Sequence, residues 1–212
     1  MPILINSTTH PFHSHHETQS SNLPKNPQDK LKPHQEMAIN QVVLPLLPLL
    51  VLVLALIVQS SAAAPPTAPL SPAANEYLEA HNRARAEVGV EPLQWSQNLA
   101  SLTDRLARFQ RNQKGCGFAE LSGSRYGGNQ MWVSGRVLTP REAVEAWVRE
   151  KAFYNYSSNT CVGDHHCGVY TQVVWRKSVE VGCGQATCWK EGITLTICFY
   201  NPPGNVVGES PY

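Results

Sequence analysis

The chain is short of several things that would classify it quickly. It has no dominant charge: 17 Lys and Arg stand against 16 Asp and Glu, a net +1, so no basic field gathers nucleic acid or anionic membrane, and neither is expected as a partner. The residues before Cys116 contain no cysteine. Histidine is scarce where it would matter, because five of the eight lie before His81 and only His81, His165 and His166 follow. What is present instead is an even set of six cysteines packed between Cys116 and Cys198. That clustering points to disulfides and an oxidising compartment.

Val42 to Val58 is an uncharged, almost wholly apolar run of 17 residues followed by Ser60-Ser61-Ala62-Ala63-Ala64, the layout of a secretory signal with cleavage after Ala62 or Ala63. As a helix it reaches roughly 26 Å, short of a hydrocarbon core of about 30 Å, and Pro45 and Pro48 weaken it. No stable membrane insertion is therefore expected once the signal is removed. The reading divides the chain into a disordered leader at 1–36, a signal peptide at 37–63, a proline-rich spacer at 64–73 and one folded domain at 74–212. Met37 stands as a second candidate start. His10, His13, His15 and His16 are taken as part of the leader rather than as a metal-binding tract.

Within the domain, Ser71-Pro72 starts a helix with Tyr77, His81, Ala84 and Val88 on one face, ending at Gly89. Ser96 caps a second helix whose Leu99, Leu102, Leu106 and Phe109 read as a buried stripe, fading at Lys114-Gly115. Thr139-Pro140-Arg141-Glu142 is a capping box for a third helix running to about Lys151. Gly168 to Trp175 reads as a short helix or a strand, because Val169, Tyr170, Val173 and Val174 suit either. Val179 to Cys188 and Ile193 to Tyr200 form a hairpin around Trp189-Lys190-Glu191-Gly192. With that turn, Cys183 and Cys198 fall opposite each other and Cys188 faces the other side of the sheet. Cys161 and Cys167 close on themselves and Cys116 is left for Cys188. The expected architecture is α+β, helices on an antiparallel sheet stapled by three bridges.

Ala80-His81-Asn82-Arg83-Ala84-Arg85, Leu93-Gln94-Trp95, Tyr170-Thr171-Gln172-Val173-Val174-Trp175, Val181-Gly182-Cys183-Gly184 and Cys198-Phe199-Tyr200-Asn201-Pro202-Pro203-Gly204-Asn205 occur in this order. Together, over about Ala74 to Tyr212, they resemble the CAP superfamily and specifically the plant pathogenesis-related class 1 proteins. The resemblance implies an α-β-α sandwich of about four helices, the same three bridges, secretion to the apoplast or cell wall, and defence-related expression or a role in reproductive tissue; a monomer is expected.

It also implies a cavity of two His and two Glu able to hold a divalent metal, and here the sequence departs from the pattern. Leu121 stands for the first His, Gly128 for one Glu and Val169 for the second His, leaving Glu150. Neither a metal, a cofactor nor an enzymatic activity is therefore expected, and a metal-dependent hydrolase stands only as the third reading, behind the two given below. Glu150 has two readings, a cavity remnant or a simple partner of Lys151. His81 is expected to be structural, and His165-His166 to sit in a polar disulfide-closed loop. Trp132, Trp147, Trp175 and Trp189 are read as core.

Members of the family are similar in holding sterols or related lipids, for which Phe109 and Phe118 would be the contacts here, although the Gln110 to Gly115 segment between them is polar. The last eleven residues match the family's C-terminal signalling-peptide pattern PxGNxxxxxPY, with Pro202, Gly204, Asn205, Pro211 and Tyr212 in place. A released peptide with its own receptor is the alternative function, and the Pro- and Gly-rich tail is expected to be exposed. Phe199 replaces the usual Asn in the cleavage context. Asn155-Tyr156-Ser157 is a candidate glycosylation sequon.

Overall fold

The computed structural model describes residues 3–7 and 69–212. The signal-peptide segment lies outside the described residues. In chain order the elements are β1 (Ile3–Ser7), α1 (Pro72–Ala86), β2 (Gln94–Trp95), α2 (Gln97–Gln113), β3 (Gly127–Ser134) and α3 (Pro140–Val148). A 3-10 turn over Arg149–Phe153, β4 (Tyr154–Asn155), β5 (Thr160–Cys161), α4 (Gly168–Val173), β6 (Glu180–Cys188) and β7 (Ile193–Asn201) complete them.

Local chemistry starts each main helix where the sequence asks for it. Ser71 accepts from Ala74 N–H with proline at the first helical position, Ser96 accepts from Leu99 N–H, and Thr139 and Glu142 form a reciprocal capping box. Each such cap satisfies amide donors that have no partner inside the helix. The domain begins slightly before the residue 74 boundary, since helix α1 already includes Pro72. Helix α3 gives up α geometry after Val148, and the chain continues as the 3-10 turn to Phe153 rather than ending near Lys151. Of the two readings for Gly168 onward, helix is the outcome.

The main sheet runs β1-β3-β7-β6-β2, antiparallel except for the short parallel pairing of β2 with β6. The hairpin register places Cys183 opposite Cys198. The bridges are Cys183–Cys198, Cys116–Cys188 and Cys161–Cys167. One expectation is corrected at the amino terminus. Five residues of the leader read as disordered, Ile3–Ser7, pair with Asn129 to Val133 as an edge strand.

Strand β7 is buried from Ile193 to Tyr200, and its alternation divides the core in two. Cys198 and Tyr200 pack with Met131, Val133 and side chains of α1, α3 and α4. Leu195, Ile197 and Phe199 pack with Leu99 and Ala107 of α2 and with Leu121. The molecule is an α-β-α sandwich, three helices on one face and α2 on the other.

Helix α2 corrects the expected stripe. Its buried face is Leu99, Ala100, Thr103, Ala107 and Gln110, while Leu102 and Leu106 are half-buried and Phe109 is 48% exposed. The cause lies in β6. A Cβ on Gly182 would come 2.6 Å from Leu99 backbone, and one on Gly184 2.6 Å from Asp104 Cα. Two bare glycines let the helix backbone lie directly on the strand, and small residues suit that contact better than leucine. Trp189 also departs from expectation: at the hairpin turn it is 81% exposed, whereas Trp147 and Trp175 are buried and Trp132 is half-buried.

Candidate functional site

Three places bear on function: the position of the family's cavity, the open flank of α2, and the C-terminal tail.

At the first, Glu150 sits in the 3-10 turn after α3, and its Oε2 accepts from the backbone N–H groups of Val169 (3.2 Å) and Tyr170 (3.4 Å). It therefore neutralises free amides in the first turn of α4, which answers the choice left by the sequence, because Lys151 pairs with Glu87 instead. Burial raises its carboxyl above the ordinary carboxylate range, and the two amide bonds pull it part of the way back.

The opposite end of α4 is held by Arg85 of α1. Its buried guanidinium donates to the carbonyls of Glu91, Val173, Trp175 and Ser178 at 2.7 to 3.1 Å. A carboxylate at the amino end and a cation at the carboxyl end both complement the backbone charge of this short helix. Burial lowers the guanidinium from its ordinary value to about 10, and it remains charged at neutral pH.

His81 is structural, as expected. Its Nδ1 lies 2.7 Å from Tyr77 O and its Nε2 2.8 Å from Tyr200 Oη, which also accepts from Asn129 Nδ2. With Nδ1–H donating to the carbonyl, Nε2 accepts from the tyrosine and every contact is satisfied by a neutral ring. Burial pushes the imidazole down from 6.5 to about 4.

The other cavity positions have become apolar. A Cβ on Gly128 would lie 2.6 Å from Leu121 Cδ1 and 3.6 Å from the Phe199 ring. Leu121 thus occupies the space a side chain at 128 would need, and Tyr126 stacks on Phe199 beside it at 5.6 Å. Among the described residues no group of three or more His, Cys, Asp or Glu could hold a metal.

The second place is the flank of α2. Leu102, Leu106 and Phe109 follow at i, i+4 and i+7, and so share one side of the helix. Leu102, Leu106, Phe118, Tyr126 and Trp132 pack against the second core cluster while remaining partly open. Phe118 belongs to this set and Phe109 is exposed on the same side of α2; neither lines either of two clefts in the domain. One of those, about 370 Å³, lies where Tyr77, Trp95, Asp104 and Gln185 meet near the starts of α1 and α2. No sequence signal marked it.

The third place corrects the tail. Pro202, Val207, Gly208 and Ser210 are exposed as expected, but Gly204, Asn205 and Pro211 are buried. Gly204 N–H donates to Gln172 Oε1, Asn205 Oδ1 accepts from Thr171, and Asn205 Nδ2 donates to Gly168 O. Pro202 O accepts from Ser178, Arg176 N–H donates to Pro211 O, and Glu209 pairs with Lys177. Tyr212 stacks on Tyr156 at 4.8 Å, with its hydroxyl 3.2 Å from that of Tyr170. A second cleft of about 290 Å³ separates this tail from the Cys161–Cys167 loop. Asn155 is exposed at the end of β4, its Oδ1 accepting from Ser158 N–H. His165 stacks on Phe153 in the disulfide-closed loop.

A single helix on one side of the sheet, three on the other and three disulfide bridges define a known class of α-β-α protein. The same fold occurs in BmVAL-1, at 22% identity and TM-score 0.55 over 71% of this chain and 86% of that one. NaASP2, solved with Zn2+, shares it at 22% identity and TM-score 0.54 over 70% and 90%. Residues 78–200 match the model of the cysteine-rich secretory protein family, CAP, and the chain belongs to that family. It is 62% identical to the STS14 protein of Solanum tuberosum over 142 residues, 67% of this chain and 66% of the relative, just under two thirds of its length. To pathogenesis-related protein 1C of Nicotiana tabacum it is 48% identical over 65% of this chain and 79% of the relative. Both of these relatives are plant proteins. The two-His, two-Glu metal set implied by the family pattern does not fit the residues here, because Leu121 fills the space at Gly128 and positions 121 and 169 carry no imidazole.

Proposed function

We propose that this is a secreted, non-enzymatic defence protein that holds a sterol or related lipid against the open flank of α2. The observation that carries the reading is the displaced stripe. Leu102, Leu106 and Phe109 form the most regular apolar pattern of the helix, yet Leu102 and Leu106 are only half-buried, at the edge of the second core cluster with Phe118 and Tyr126, and Phe109 is exposed. An apolar strip left partly open where a small-residue face already secures the helix is in keeping with contact to an apolar ligand. Three buried or half-buried bridges are in keeping with an extracellular setting. Catalysis finds no support in the residues of the old cavity, whose remaining carboxylate is spent on the amides of α4.

Titration of a fluorescent sterol into the pure protein, beside a heat-denatured control, tests the reading. Saturable binding at micromolar concentration is expected, weakened about ten-fold or more by Leu106→Asp. Absence of binding at that concentration removes the proposal. The released-peptide alternative rests on the tail's sequence pattern alone, and the contacts of Gly204, Asn205, Pro211 and Tyr212 weigh against easy release. Peptidomics that recovers a fragment starting at Pro202 would restore it.

A further inference from the structure

The chain has seven tyrosines, and their surroundings differ in a way the lipid reading does not use. Tyr77, Tyr170 and Tyr200 are buried. Tyr126 faces Phe199 and the Arg125 guanidinium. Tyr154 is half-buried, its hydroxyl donating to Asn159 Oδ1 at 2.7 Å. Tyr156 and Tyr212 alone combine access with a facing phenol: their rings are 4.8 Å apart and within 4° of parallel, Tyr156 being 52% exposed and Tyr212 half-buried.

We propose that Tyr156 and Tyr212 are a site of oxidative cross-linking, where a one-electron oxidant of the peroxidase and hydrogen peroxide type joins the two rings as dityrosine and fastens the carboxyl terminus to the β4–β5 loop. Each phenol gives up one electron and its hydroxyl proton, and one peroxide takes up both electrons and both protons to become two waters. The two phenoxyl radicals then form a carbon–carbon bond between ring positions ortho to the oxygens. The hydrogens on those carbons move to the oxygens, so both phenols are restored and the product has lost two hydrogens.

The surrounding contacts hold the second ring ready for the first. Pro211 O accepts from Arg176 N–H at 2.7 Å, Asn159 Nδ2 donates to Glu209 O, Lys177 pairs with Glu209, and Tyr154 meets the Tyr212 ring edge-on at 6.4 Å. A pair held in this way reacts as one molecule, at a far higher effective concentration than two chains meeting in solution. The bond also closes the tail against release.

The test treats the full secreted chain with peroxidase and hydrogen peroxide. The expected product is a monomer lighter by two hydrogens whose digest contains one joined fragment carrying Tyr156 and Tyr212, in a yield independent of protein concentration. Tyr156→Phe and Tyr212→Phe are expected to lose it completely, and Tyr126→Phe to keep the parental yield. Covalent dimers in place of the intrachain bond, a joined fragment that survives Tyr212→Phe, or tyrosine oxidation without any joined fragment would each overturn the proposal. None of these readouts depends on sterol binding.

Discussion

The two faces of the sheet are secured by opposite means. On the face of α1, α3 and α4, a charged guanidinium and a neutral imidazole are buried among carbonyls, a tyrosine and an asparagine, and each works because its partners are in place. On the face of α2 the decisive residues are glycines, which work by having no side chain. The first face depends on hydrogen-bond geometry and on protonation, the contact of α2 with β6 chiefly on close approach, so the two respond to different perturbations.

The largest expected effect is on the polar face. Arg85→Met keeps much of the volume but removes the donors to the carbonyls of Glu91, Val173, Trp175 and Ser178, and urea unfolding is expected to show a loss of about 3–5 kcal/mol. On the other face, Gly182→Val places atoms inside the backbone of Leu99 and Ala100. A loss of about 3 kcal/mol is expected, with no change in its size between pH 7 and pH 4.5. A pH-dependent loss there would break the contrast.

Acid acts the other way round. Because the His81 imidazole titrates at about 4 when folded and near 6.5 when unfolded, the unfolded chain binds the extra proton throughout that interval. Stability is then full above about 6.5 and falls as pH drops toward 4, by up to roughly 3 kcal/mol. Glu150 opposes this slightly, since its raised carboxyl takes up a proton in the folded state first. Urea midpoints measured across that range should slope for the parent and flatten for His81→Gln. The smallest effect belongs to Glu150→Gln, whose amide oxygen still accepts from Val169 and Tyr170. It is expected to cost about 0.5 kcal/mol at pH 7 by thermal unfolding.

What could be read before folding was whatever a few neighbouring residues decide. Ser71-Pro72, Ser96 and the Thr139–Glu142 box set helix starts, and the Trp189–Gly192 turn set a register that in turn assigned the cysteines. The face of α2 escaped because its choice of Ala100, Thr103 and Ala107 over Leu102 and Leu106 is made by Gly182 and Gly184, some eighty residues later. The tail escaped for a related reason. Proline and glycine suggest exposure, whereas Gln172, Thr171 and Arg176 supply partners that no local pattern announces. At the old cavity the loss of ligands was legible by alignment of motifs, but that Leu121 fills the void and Glu150 serves the amides of α4 required the packed structure.

The reach of Arg85 has a consequence for biosynthesis. Its acceptors at Val173, Trp175 and Ser178 lie 88 to 93 residues downstream, so a nascent chain emerging amino end first carries a solvated cation in its first helix until the final third has been translated. That helix cannot dock early without stranding a charge, and the domain is committed to closing late and at once, with its slowest step the arrival of distant partners.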